Sequence, residues 1–453
     1  MAISIRVGNA LQLLRAMPAD SVHCCVTSPP YWGLRDYGTP PQVWGGDPDC
    51  RHRWGAEGKS GQRLRNGLGG SLDGATVKDS FGETLHPSTG AFCQRCGAWR
   101  GSLGLEPTYQ LYVDHLVEVL REVRRVLRPD GTLWLNLGDC YATGGGKAHK
   151  AGGGRQGERW PGVATQPNRM PQPRLKPKDL VGIPWRVAFA LQDEGWWLRR
   201  DHIWSKPNPM PESVRDRCTS SHEYLFQLTK ARRYYYDAEA IKEPAAYAGQ
   251  QLGICRGQKR RATAMGRAPT GNERPGADVD IATGRNKRSV WTIVPMPFRE
   301  AHFATFPPAL VEPCILAGTS ERGVCSHCGA PWRRILSKRP DVRKSYATIG
   351  TGNKARASRN DGNGLNKVLR EDGRGGDLAT AQCVTIGWRR TCDCPGTDPV
   401  PAIVLDPFLG AGTTAVVADR LGRDCIGLEL SPGYAAMARR RVGSAAPRLR
   451  RAA

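Results

Sequence analysis

The stretch Asp406-Pro407-Phe408-Leu409-Gly410-Ala411-Gly412-Thr413-Thr414 decides the fold. It follows an apolar run, Ile403-Val404-Leu405, that reads as a buried strand, and it leads into a helical pattern near 413–421. Glycines at that junction let the backbone approach a ligand closely and open the helix N-terminus toward it. A second strand, Cys425–Leu428, is followed by Glu429, 23 residues after Asp406, and a further helix begins at 432. An acid there can accept hydrogen bonds from both ribose hydroxyls, the usual nucleoside clamp of doubly wound α/β sheets. Phosphate cradling is disfavoured, because no Lys follows the glycines and an Asp at the loop mouth would repel phosphate. The unit reads as a nucleoside site, with Asp406, Pro407, Phe408, Gly410, Gly412, Thr413, Thr414 and Glu429 as its candidate contacts.

Near the other end, Val22-His23-Cys24-Cys25-Val26 reads as a buried strand that runs into Thr27-Ser28-Pro29-Pro30-Tyr31-Trp32. Two prolines fix the backbone, so the Pro29 carbonyl cannot swing away. That carbonyl and the Ser28 hydroxyl can both accept hydrogen bonds from an exocyclic amine. Such binding draws the nitrogen toward tetrahedral geometry and frees its lone pair. Tyr31 offers a face on which an extruded base can stack. By itself Ser28–Tyr31 is simply a proline-rich turn; beside a nucleoside loop it reads as an amine trap.

Between these ends, Tyr112, Leu116, Val119, Leu120, Val123 and Leu127 recur at helical spacing and predict an amphipathic helix over about 108–127. Pro129-Asp130-Gly131 predicts a turn, and Leu133–Leu137 a strand ending at Gly138-Asp139. A helix from Ile183 to about Glu194 and strands at 197–205 and 223–229 follow. Asp139 reads equally as a site-lining acid or a turn acid. The expected organisation is a core in pieces: 1–37 with the proline motif, 103–243 with a Gly-rich loop at 143–175, 291–322, and 399–443 with the cofactor loop. It is interrupted by a polar insertion at 38–102, a basic loop at 244–290 and a second cysteine-bearing segment at 323–398, and it ends in a basic tail at 444–453.

The chain has 453 residues, 39% of them hydrophobic, with 54 Gly and 34 Pro, so a core is combined with much loop. No apolar run approaches the length of a membrane span, and the start, MAISIRVGNALQLL, lacks an export pattern. The formal net charge of +24 points to a polyanionic partner, most simply nucleic acid.

Fifteen cysteines without an export signal favour thiolate–metal sites over disulfides. Cys50, His52, Cys93 and Cys96 supply one zinc-type ligand set, and Cys325, Cys328, Cys392 and Cys394 a second. A Gly follows each Cys-x2-Cys (Gly97, Gly329), as in a knuckle. His86 is an alternative ligand in the first set, Cys383 or His327 in the second. Two closed, structural zinc sites are expected, stapling loops with too few apolar residues to fold alone.

Thr27–Trp32 and Asp406–Thr414 together resemble motifs IV and I of the amino-DNA methyltransferases that use S-adenosylmethionine. The catalytic motif comes first and the cofactor motif last, which is the β-class order. The resemblance covers 3–37, 103–141, 176–243, 286–322 and 401–443. Trp204-Ser205-Lys206-Pro207-Asn208-Pro209 matches, and His302–Pro307 (HFATFP) looks like motif X. The resemblance implies a Rossmann-like methyltransferase sheet with permuted motif order, catalytic Ser28, Pro29, Pro30 and Tyr31, and cofactor contacts that add Asn9, Thr27 and Phe306. Asn9 and His23 stand where acids are common in the family; His23 receives no role.

Ser28 resembles the N4-cytosine members, so the expected activity is site-specific methylation of the N4 amine of a flipped cytosine in double-stranded DNA. N6-adenine methylation is the first alternative, and a catalytically inactive zinc-containing DNA-binding protein the second; RNA is a weaker substrate option. Cytosine C5 methylation is disfavoured, since Pro313-Cys314 lies on a helix-like stretch and Glu-Asn-Val is absent. Cys24 and Cys25 read as core. A homodimer and a cognate restriction nuclease are left open. The resemblance and the missing export signal imply the cytoplasm of a bacterium, or of one infected by a phage.

Overall fold

The computed structural model describes residues 2–55, 91–142, 172, 174–243, 285–296, 305–338, 383–396 and 398–444. The chain divides into two compact units. One comprises Met1–Asp237, Arg288–Pro331 and Cys394–Ala453; the other comprises Ala238–Lys287 and Trp332–Asp393.

The first unit is built on an eight-stranded sheet. In chain order its strands are β1 (Ile3–Val7), β2 (Val22–Thr27), β5 (Leu127–Leu137), β6 (Trp197–Ser205), β7 (His222–Thr229), β8 (Val290–Thr292), β13 (Ile403–Asp406) and β14 (Asp424–Glu429). In space the order is β1-β14-β13-β2-β5-β7-β6-β8. All neighbours are parallel except those of β7, which runs antiparallel to β5 and β6. The expected doubly wound sheet is therefore present, with one reversed strand. The central strand β2 is buried at every residue. Two-faced burial of that kind is the signature of a parallel strand covered on both sides.

Helices α1 (Ala10–Arg15), α2 (Tyr109–Val126) and α3 (Ile183–Asp193) pack together, as do α4 (Pro308–Gly318), α5 (Thr413–Arg420) and α6 (Pro432–Ser444). From β13 the chain crosses through α5 to β14 on one side; from β2 it crosses through α2 to β5 on the other. Right-handed crossovers in opposite directions put their helices on opposite faces. That reversal opens a crevice between the C-terminal ends of β13 and β2.

Two sequence expectations change. Pro129-Asp130-Gly131 forms no separate turn, because α2 passes directly into β5 at Leu127. While β2 advances from Val22 to Cys24, its partner jumps from Leu127 to Thr132, so Arg128–Gly131 bulges out of the ladder. The insertion read at 38–102 is not outside the core either. Its short strands β3 (Gln42–Trp44) and β4 (Trp99–Gly101) pair antiparallel, and Trp44 and Trp99 join the main hydrophobic cluster. A further small pair, β9 (Val324–Cys325) with β12 (Pro399–Val400), completes this unit.

In the second unit, β10 (Arg333–Lys338) and β11 (Cys383–Arg389) form an antiparallel ladder with an irregularity between Ile335 and Leu336. The basic loops, the Gly-rich loop and the basic tail fall almost wholly outside the described residues, as do His86 and His302–Ala304 of the motif X segment. Among the described residues no helix is long and apolar enough to cross a membrane.

Candidate active site

β13 and β2 lie side by side, with Val404 opposite Cys24 and Leu405 opposite Cys25. Their ends carry Asp406–Thr414 and Thr27–Tyr31 to the same crevice. One hydrogen bond joins the loops directly: Thr27 Oγ1 donates to Asp406 Oδ1 at 2.7 Å across 379 positions of sequence.

Asp406 is fully buried. Besides Thr27, its carboxylate accepts from Thr414 Oγ1 at 2.7 Å and from the Phe408 amide at 3.1 Å. Burial pushes its pKa up to about 6, against the pull of the Thr414 and Thr27 hydrogen bonds. The protein donors to this enclosed carboxylate come from both loops, so Asp406 bolts the two together. Thr27, Pro407, Thr413 and Thr414 are buried with it. The half-buried Phe408 and Gly410 carry the accessible surface of the loop.

The two glycines have different work. Gly412 has φ +83°, and a Cβ there would sit 2.8 Å from the Ala438 Cβ, so it lets α5 pack against α6. Gly410, at φ +53°, would bring a Cβ no nearer than 4.0 Å to the Phe408 carbonyl, so its outer side is open. Arg441, which the sequence did not single out, donates to the Ala411 carbonyl at 3.1 Å and to Thr413 Oγ1 at 3.0 Å.

Glu429 ends β14 beside this loop. Its carboxylate accepts from the Gly410 amide and from the Ser431 amide, both at 2.8 Å, and the Gly8 amide donates to its carbonyl at 2.9 Å. Burial raises its pKa. Asn9 follows directly, but its side-chain oxygen caps α1 by accepting from the Gln12 amide at 3.1 Å, and its Nδ2 donates to Gln42 Oε1 at 3.1 Å. Tyr37, also missed, lies close enough to Glu429 for that charge to add to the effect of burial in raising its phenol, with Arg35 opposing. Phe306 is half-buried just ahead of α4.

Ser28 and Tyr31 are half-buried and Pro29 is buried. Ser28 Oγ lies 3.2 Å from the Tyr31 hydroxyl and 3.3 Å from Asn136 Oδ1. The Tyr31 hydroxyl reaches Asn136 Oδ1 at 2.9 Å and Glu223 Oε2 at 2.8 Å. Lys206 Nζ donates to Glu223 Oε1. Burial, then the charge of Glu223, pushes the Tyr31 phenol well above its ordinary value, so it stays a neutral donor. The ring packs on Gly138, where a Cβ would come within 2.6 Å of it. Tyr31 is thus anchored at its hydroxyl and its ring is seated on Gly138. Asn136 and Glu223 escaped sequence reading because each looks like an ordinary polar residue on a strand.

Asp139 resolves to the structural role. It accepts from the Cys140, Gly182 and Ile183 amides at 2.8–3.0 Å and so holds the start of α3. Cys24 and Cys25 are fully buried, and burial pushes the Cys24 thiol up to about 12. Cys314 is buried within α4, its thiol donating to the Leu310 carbonyl. None of these three is placed to act as a nucleophile.

The ligand atoms of Cys50, His52, Cys93 and Cys96 lie within 4.8 Å of one another. In the second set the Cys325, Cys328 and Cys394 thiols do the same within the larger unit. Cys392 is assigned to the smaller one.

An open α/β sheet with a glycine loop and a proline-stiffened polar motif at its switch point defines a Rossmann-like enzyme class acting on a nucleoside-bearing cofactor and an amine. Residues 22–326 and 398–440 match the family described as DNA methylase, and the chain belongs to this family of amino-DNA methyltransferases. It is 32% identical to the type II methyltransferase M.SmaI of Serratia marcescens over 439 residues, 97% of this chain and 90% of that protein. It is 38% identical to the type II methyltransferase M.Cfr9I of Citrobacter freundii over 312 residues, 69% of this chain and 71% of that protein. A solved PvuII DNA methyltransferase (cytosine-N4-specific) aligns over 97% of this chain and 86% of its own, at 15% identity and a TM-score of 0.42.

Proposed function

We propose that this chain is a site-specific DNA methyltransferase that moves a methyl group from S-adenosylmethionine to the N4 amine of a flipped cytosine. The observation that carries the reading is the Thr27–Asp406 hydrogen bond, which ties the amine-binding motif to the nucleoside loop at one crevice. The printed names of the relatives, type II methyltransferases, support a site-specific DNA reaction.

The residues present fit the cofactor. Gly410 has open space on its outer side, and Glu429 is oriented by two backbone amides with lone pairs left for ribose hydroxyls. S-adenosylmethionine supplies a methyl group already activated by its sulfonium. The protein then needs alignment and a polar environment suited to moving positive charge rather than a strong base. Ser28 and the Pro29 carbonyl hold the amine's two hydrogens, and the amine sheds its extra proton after transfer. Asn136 and Glu223 fix the hydroxyl of Tyr31, and so the ring on which the extruded base stacks. Ser28 at the head of the motif supports cytosine over adenine. The first cysteine set fits structural zinc, and the second offers three thiolates, Cys325, Cys328 and Cys394, within the larger unit.

The test is to incubate the full chain with S-adenosylmethionine and unmethylated DNA, digest the DNA to nucleosides, and identify the product by mass. N4-methyldeoxycytidine is expected. N6-methyldeoxyadenosine would move the assignment to adenine, and no methylated base, with cofactor still bound, would favour a catalytically inactive DNA-binding protein. Ser28→Ala should lower kcat by roughly 10²–10³-fold, the cost of losing one preorganised polar group at a reacting centre, while leaving cofactor affinity unchanged.

A further inference from the structure

Residues 42–54 and 91–101 form a small module, with Trp44 opposite Trp99 in the β3–β4 pair and an isolated bridge from Trp54 to Cys93. Its ligand set has the dimensions of a tetrahedral site. Cys50 Sγ is 3.9 Å from Cys93 Sγ, and Cys96 Sγ is 3.4 Å from His52 Nδ1. Zinc bonds of about 2.3 Å to sulfur and about 2.0 Å to nitrogen put tetrahedral ligand atoms about 3.5–3.8 Å apart. The backbone is shaped to this cluster. The Arg95 amide donates to Cys93 Sγ at 3.4 Å. Gly46, at φ +73°, would carry a Cβ within 2.9 Å of Cys96 Sγ and 2.7 Å of the Ala98 Cβ, so only glycine closes the turn.

What this module touches gives the cluster a purpose. His115 of α2 stacks on Trp44 and on Trp99, with centroids 5.4 and 5.5 Å away. His115 Nδ1 lies 3.1 Å from Glu106 Oε1, and both residues are buried. The other carboxylate oxygen of Glu106 accepts from the Gly104 amide at 2.8 Å, and its carbonyl accepts from Trp32 Nε1 at 2.9 Å. The Gly104 carbonyl in turn accepts from the Gly33 amide at 2.8 Å. Gly104 also packs so closely that a Cβ would come within 3.1 Å of the Tyr31 carbonyl. The chain of contacts therefore runs from the four ligands through two tryptophans and a buried His–Glu pair to the backbone behind Ser28–Tyr31.

We propose that a zinc ion held by Cys50, His52, Cys93 and Cys96 is the strut that positions the proline motif, so that metal loading sets the geometry of the amine trap. This rests on the reading of Ser28–Tyr31 given above. Crosslinking is what a short, polar module needs to keep two tryptophans in register, and a thiolate-bound metal supplies it. His115 and Glu106 stay paired only while those rings exclude water from them.

The experiment uses the full chain and its Cys93→Ser/Cys96→Ser variant, with zinc counted by elemental mass spectrometry and amide exchange followed by peptide mass. The variant should carry one zinc fewer per chain. Exchange across Trp32–Leu34 should rise at least tenfold, and kcat should fall at least tenfold with KM for S-adenosylmethionine unchanged. Zinc retained in the variant, or zinc lost with exchange and kcat unaltered, overturns the proposal. If the double variant fails to bind cofactor, and so has not folded, Gly46→Ala is read by the same measurements with the same outcomes. Zinc content and exchange do not involve the reaction, so a wild-type chain that proves inactive on DNA would sink the functional reading while leaving this one to be judged separately.

Discussion

His23 is held as a neutral imidazole by two backbone groups. The Ile403 amide donates to Nδ1 at 3.0 Å, which leaves the proton on Nε2 to be donated to the Gly329 carbonyl at 3.1 Å. Burial, reinforced by the charge of Arg128, lowers its pKa from 6.5 to about 4. The unfolded chain therefore takes up the proton first on acidification. Stability is lost as pH falls from 6.5 toward 4, by about 2 kcal/mol between pH 7 and pH 5. Asp406 has the opposite slope in the same range: its folded pKa of about 6 lies above the unfolded one, so the folded state gains the proton first and acidification relieves a buried charge. The His23 effect is thus isolated by difference. In urea unfolding, His23→Leu should be the weaker protein at pH 7, since the Ile403 amide loses its acceptor. Its deficit should shrink by about 2 kcal/mol at pH 5, where the wild type has lost what the variant never had. A constant deficit at both pH values would mean that His23 does not titrate in this range. This role was not legible from residue pattern, because both partners are backbone groups from distant segments.

At the scale of the element, the cofactor loop and its helix make a paired prediction. Gly412→Ala introduces both a left-handed residue and a 2.8 Å clash with Ala438, whereas Gly410→Ala introduces the left-handed residue alone. A non-glycine residue in that conformation costs about 1–2 kcal/mol, and overpacking adds about 1–3 kcal/mol. Gly412→Ala should therefore lower the unfolding temperature more than Gly410→Ala, while Gly410→Ala, on the open side, should act mainly on cofactor affinity. Equal thermal losses would contradict the separate roles of the two glycines. Elements of this kind were legible in the sequence because local pattern decides them: β2, α2, α3, β13, α5 and β14 lie within a residue or two of their expected bounds. The proline motif and the glycine loop were legible as a pair for the same reason, each sitting at the end of an apolar strand. What pattern cannot carry is partnership across the chain. Trp44 and Trp99 are core residues in a segment without periodicity, and they are buried because His115 lies between elements far apart in sequence. Asn136 and Glu223 acquire meaning only when the antiparallel β7 brings them to Tyr31.

For the whole molecule, the formal net charge of +24 exceeds what folding needs and bears on how a DNA methyltransferase meets its polyanionic substrate. Residues 339–382 carry nine Lys and Arg against five Asp and Glu, so removing them leaves a chain of net charge +20. The ladder on either side shows where the cut can be made. Lys338 is the register partner of Cys383, the last pair between β10 and β11, so a two-residue Asn-Gly turn can close the hairpin in place of the whole segment. If the segment meets phosphates, each lost contact should reduce the slope of log affinity against log salt by about 0.9. A variant losing two contacts would bind DNA with a slope shallower by about 2 and an affinity that falls most at low salt, with cofactor affinity unchanged. Measured binding over a salt series separates this from a role in solubility, for which slope and affinity would both match the full chain. A fall in affinity at constant slope would instead mean that the segment touches the bases or shapes the site, since those contacts release no counterions.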